Sequence, residues 1–115
     1  MTMSQQLQQL KTQVSDLIDT LTDAVSDGPY SEEQNRLLDQ AILTMQTLQD
    51  DMSNDTEEAI LIGLTAHNQE LSDLNKAIDA YSKKLDATAA KIKSIADTVG
   101  TIAGVVAGIV SSGVL

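Results

Sequence analysis

Cysteine, tryptophan and phenylalanine are absent from this 115-residue chain, and proline and arginine occur once each, at Pro29 and Arg36. Without cysteine there is no disulfide framework and no thiolate nucleophile, and the redox compartment is left open. With aromatics at 2 % of residues, a core has to be built from Leu, Ile, Val, Ala and Met, which suits interdigitated helices better than a sandwich or an open sheet. Basic residues are also scarce: seven Lys and Arg stand against seventeen Asp and Glu, for a formal net charge of −10 at pH 7. Such a surface repels phosphate backbones, so no nucleic acid is expected as a partner. The amino terminus has no basic stretch leading into an apolar core, so the cytoplasm is the default location, with export without a cleavable signal or membrane association as the alternatives.

What is present is helical periodicity. Met3, Leu7, Leu10, Val14, Leu17, Leu21 and Ala24 alternate in steps of four and three, a heptad seam that predicts a first helix over about residues 3–26. Gly28 and Pro29 stop it, one by admitting left-handed backbone and the other by donating no hydrogen bond. Ser31 followed by Gln34 fits a capping box for a second helix over about residues 31–53, with Glu32 and Glu33 favouring its positive end and Leu38, Ala41, Met45, Leu48 and Met52 as its seam. Ser53, Asn54, Asp55 and Thr56 compete with helix by bonding their own backbone, which predicts a turn, with Asp55 and Glu58 capping a third helix.

The third series is the longest, from Ile60 through Leu64, His67, Leu71, Leu74, Ile78, Tyr81, Leu85, Thr88, Ile92, Ile95, Val99, Ile102 and Val106 to Ile109, and its alternation never slips. The expected architecture is therefore all-α: a helical hairpin or three-helix coiled-coil-like bundle whose very long third helix ends in an apolar, glycine-rich segment. Residues 1–97 form the acidic bundle, with the third helix over about residues 56–97, and residues 98–115 form the tail. A continuous helix over residues 56–112 spans roughly 85 Å at about 1.5 Å per residue, more than the first two can cover. In a monomer the seam from about Tyr81 onward is then bare, unless the tail folds back near Gly100 or other chains cover it.

The tail itself carries no charge, and Ala96, Gly100, Gly104, Gly108 and Ser112 recur every fourth residue. Residues four apart share a helix face, so this row predicts a smooth groove for the close approach of another backbone, with Val99, Ile102, Val106 and Ile109 as the packing seam. A partner helix and a bilayer both fit that groove. On this reading Gly104→Leu disturbs packing far more than Gly63→Ala. All the net negative charge lies in residues 1–58, whereas Lys83, Lys84, Lys91 and Lys93 collect just before the tail. A basic collar beside an apolar segment attracts anionic lipid at about 1 kcal/mol per lysine. Interleaved with Asp79, Asp86 and Asp97, the same lysines are equally those of a solvated face.

Catalytic chemistry has no foothold. His67 is the single histidine and sits on the seam, with Glu70 one turn later, but a lone His-x-x-Glu lacks the further ligands or base partner that a metal site or a catalytic site needs. If His67 lies between chains, its protonation near pH 6 is expected to weaken an assembly. No cofactor and no small-molecule substrate are implied. In outline, an acidic helical stalk joined to one apolar segment resembles the soluble form of α-helical pore-forming toxins over Lys83 to Leu115, a resemblance of shape and composition from which no residue role is carried across. The expected function is that of a non-enzymatic, self-associating helical protein whose C-terminal segment packs in an oligomer core and inserts into membranes. The alternative is a soluble coiled-coil adaptor or assembly subunit that binds a partner helix.

Overall fold

The computed structural model describes residues 2–26, 31–84 and 90–112. They form four helices, α1 (Met3–Ser26), α2 (Glu32–Met52), α3 (Glu57–Ser82) and α4 (Ala90–Ser112), with no strand among them. Each helix packs chiefly on two others: α1 on α2 and α4, and α3 on α2 and α4. The result is a closed four-helix bundle of 43 × 22 × 22 Å.

The expected long third helix is therefore corrected: the series from Ile60 to Ile109 belongs to two helices, not one. The physical reason is the one that made the long helix awkward. A rod of roughly 85 Å leaves its distal half in water, whereas a break between Ser82 and Ala90 lets that half return along its own first half. Lys83 caps α3, its N–H bonding to the carbonyls of Asp79 and Tyr81. The return comes about ten residues before Gly100, and the expected division between residues 97 and 98 falls inside α4. Leu85 and Thr88, two members of the series, lie outside the described residues, as does the Asp27-Gly28-Pro29 turn.

Helix starts follow local chemistry. At α1, the Gln5 N–H bonds Thr2 Oγ1 at 3.1 Å and the Thr2 N–H bonds Gln5 Oε1 at 3.0 Å, a reciprocal box. The Ser31–Gln34 box expected at α2 is present, with both of its hydrogen bonds made. The turn expected at residues 53–56 is also present, but α3 is capped by Thr56, whose Oγ1 accepts from the Ala59 N–H at 3.1 Å, rather than by Asp55. The hydroxyl one position nearer the helix meets the third N–H of the first turn, where an N-cap acceptor is needed.

One continuous core fills the bundle. Leu7, Leu10, Val14, Leu17, Leu21 and Ala24 of α1 meet Leu38, Ala41, Met45, Leu48 and Met52 of α2, and α3 supplies Ile60, Leu64, Leu71, Leu74 and Ile78. From α4 come Ile92, Ile95, Ala96, Val99, Ile102, Val106 and Ile109, all buried. From Ile92 to Ile109, the seam expected to be bare is thus covered within a single chain. Burying Val99, Ile102, Val106 and Ile109 contributes about 1.5–3 kcal/mol each, the gain that pulls α4 onto its neighbours.

Candidate functional site

Two features stand out from this frame: the outward side of α4, and a polar contact between α2 and α3. Ala90–Ser111 is long and apolar enough to cross a membrane by length and composition, with a mean hydropathy of 1.6, yet only 33 % of that window is buried. The remainder is half-buried, as Ala103, Val105 and Val110 are against the core, or exposed, and from residue 98 onward it carries no charge. An ordinary surface helix of a bundle sets charged residues opposite its apolar stripe; α4 sets Gly104, Ala107, Gly108 and Ser111 there, all exposed.

The four-residue row divides between inside and outside. Ala96 is buried, Gly100 is half-buried, and Gly104 and Gly108 are exposed, while the side chain of Ser112 lies outside the described residues. Steps of four residues advance about 40° around a helix, whereas the alternating three-and-four seam drifts little, so the two rows separate along α4. A Cβ placed at Gly100 would meet only Asn75 Oδ1, at 3.4 Å, and one at Gly104 or Gly108 would meet nothing within 4 Å. Inside a single chain, then, the glycine row is an open surface and not a packed groove.

Gly63 is the tight position. A Cβ there would fall 2.6 Å from Asp51 Oδ1 and 2.7 Å from Asp51 Cγ, which reverses the expected order of sensitivity between Gly63 and Gly104 inside the bundle. The space above Gly63 is occupied by the Asp51 side chain, which comes from the last turn of α2 and accepts a hydrogen bond from His67 Nδ1 at 2.7 Å. Asp51 keeps 11 % of its side-chain surface and His67 keeps 35 %, so the contact is partly shielded. Its hydrogen bond is the main cause that raises the His67 pKa above the ordinary 6.5; partial burial opposes this, and the charges of Asp51 and Glu70 and the Gly63 carbonyl add to it. The seam histidine therefore faces a carboxylate of its own chain 16 residues back, a partner that the sequence did not indicate.

The basic collar sits at one end of the bundle, where Lys83 and Lys84 follow α3 and Lys91 and Lys93 open α4. Lys83 Nζ lies 3.1 Å from Asp79 Oδ2, a largely exposed pair one helical turn apart that contributes a few tenths of a kcal/mol, on the order of other such pairs. The same end holds the start of α2, because Ser31 Oγ and Tyr81 Oη are 3.3 Å apart, so Glu32 and Glu33 share it with the lysines. Among the described residues, no three His, Asp or Glu side chains group to hold a metal ion. Lys11, Ser15, Gln49, Met52 and Ser53 line an open hollow and include no base paired with a nucleophile. Comparison with known protein families, characterised proteins and solved structures gave no match.

Proposed function

We propose that this chain is a non-enzymatic, self-associating helical protein that holds the apolar helix α4 in a closed bundle in water and transfers it to lipid. The observation that carries the reading is the two-sided character of α4: an aliphatic seam covered by the bundle, and an outward side of small residues without charge from residue 98 onward. A helix serving only as a core element gains nothing from an uncharged outer face in water. A helix that leaves water needs one, because each charge carried into hydrocarbon is costly. The 22 residues Ala90–Ser111 span roughly 33 Å, close to a hydrocarbon core of about 30 Å, with Lys91 and Lys93 near one interface, where their long stems let the ammonium groups reach the headgroups, and with Asp97 as the one carboxylate the helix carries in with it at a cost.

Transfer is then a population shift between two environments for Val99, Ile102, Val106 and Ile109, bundle core and bilayer. Insertion of one such helix is weakly favourable, since aliphatic residues give only about −0.3 to −0.6 kcal/mol each on the insertion scale. Several copies inserting together gain helix packing along the Gly100, Gly104 and Gly108 row, where backbones approach closely. Self-association through that row is thus part of the mechanism and not an addition to it.

The test is co-sedimentation with neutral phospholipid vesicles and with vesicles containing anionic phospholipid. Binding to the anionic vesicles is expected, and replacing Lys83, Lys84, Lys91 and Lys93 by Gln should weaken it by about fivefold or less per lysine. A chain that ignores both vesicle types contradicts the proposal. The adaptor reading draws on a different observation, the exposure of Leu43 (64 %) and Ile62 (65 %) on α2 and α3. Its signature is a stable complex or oligomer indifferent to lipid and lost on Leu43→Gln or Ile62→Gln.

A further inference from the structure

The α2–α3 contact carries an inference independent of the membrane reading. Asp51 is buried two residues before the 53–56 turn, Asn54 three residues on donates Nδ2–H to the Asp51 carbonyl at 2.7 Å, and the Asp51 carboxylate occupies the space that Gly63 leaves before meeting His67. A side chain of one helix thus crosses to the other through a gap only glycine provides. We propose that Asp51 and His67 form a protonation-dependent staple that closes the α2–α3 side of the bundle and is strongest when the imidazole carries its charge.

The charged groups around His67 all act in one direction. Asp51 reaches it from α2 and Glu70 lies one turn further along α3; α4, the other helix packed on α3, has no charged residue beyond Asp97, and α1 stands diagonally across the bundle. No lysine or arginine opposes the imidazolium from these elements near His67. Folding holds the His67 pKa above its ordinary 6.5, so the folded chain keeps the proton more tightly than the unfolded one. The stabilisation is fully present below about pH 6.5 and is lost as the pH rises through the folded-state value. Acidification therefore tightens this side of the bundle, the opposite of the weakening expected had His67 faced another chain.

Urea unfolding of the full chain and of His67→Gln at about pH 6 and about pH 8.5 tests the staple, with both proteins at the same ionic strength. The net negative charge relaxes in both proteins on acidification, so the difference between them isolates the histidine. The expected result is a wild-type midpoint that exceeds the variant's by more at the lower pH than at the higher. An equal difference at the two values overturns the proposal. Because this chain has one histidine, its ring-proton NMR titration gives a second and direct reading that does not depend on the variant folding. A midpoint above 6.5 in the wild type, falling toward 6.5 in Asp51→Asn, is the expected result; a wild-type midpoint at or below 6.5 overturns it.

Discussion

A methyl group at Gly63 would stand where the Asp51 carboxylate now lies, 2.6 Å from its oxygen. Gly63→Ala exchanges about 1 kcal/mol of improved helix propensity for displacement of a buried carboxylate, and overpacking of this kind costs about 1–3 kcal/mol. The net expectation is a lower urea midpoint and a His67 titration moved back toward 6.5. Gly104→Ala should instead stabilise the fold by about 0.5–1 kcal/mol, read as a higher urea midpoint, since its Cβ enters open space on a helix face. Spacing puts His67 in the apolar series, whereas its side chain keeps 35 % of its surface and stands outside the buried core. Its partner was not legible from spacing: Glu70, three residues along the same helix, was the carboxylate in view, whereas Asp51 meets it only once the register of α2 against α3 is set. Nothing in the order of residues fixes that register, and without it Gly63 reads as a position where an added methyl group disturbs little.

At the scale of elements, helix beginnings were more legible than the break between α3 and α4. Ser31 and Gln34 satisfy each other's backbone groups within four residues, a local event that sequence records directly. Replacing Ser31 by Ala should cost about 1 kcal/mol, read as a drop in the thermal or urea midpoint, and it also removes the hydroxyl facing Tyr81 Oη. The α3–α4 break leaves no comparable mark. Residues 83–89 contain neither Gly nor Pro, and the steps from Ile78 to Ile92 stay in phase across them. What decides in favour of two helices is burial over the whole chain, since a bundle 43 Å long covers seams that a single rod cannot. The same packing changes what a truncation means. A chain ending at Asp97 loses Val99, Ile102, Val106 and Ile109 from the core, so it is expected to unfold or aggregate and cannot serve as a tail-free control.

For the whole molecule, the central claim is that α4 leaves the bundle to reach lipid. The absence of native cysteine makes it accessible to a cross-link. A Cβ at Gly100 would lie 3.4 Å from Asn75 Oδ1, which stands two bonds beyond the Asn75 Cβ, so these two positions face each other across α3 and α4 and are the pair at which to introduce cysteines, a disulfide requiring Cβ atoms about 3.5–4.5 Å apart. The most direct measurement is co-sedimentation of Asn75→Cys/Gly100→Cys with anionic phospholipid vesicles, oxidised and then reduced, beside Gly104→Leu. If α4 is transferred, the oxidised protein stays in the supernatant and reduction moves it to the vesicles, while Gly104→Leu folds normally but loses self-association. If the oxidised and reduced proteins sediment equally with the vesicles, α4 does not have to leave α3, and the account of a stored helix is wrong.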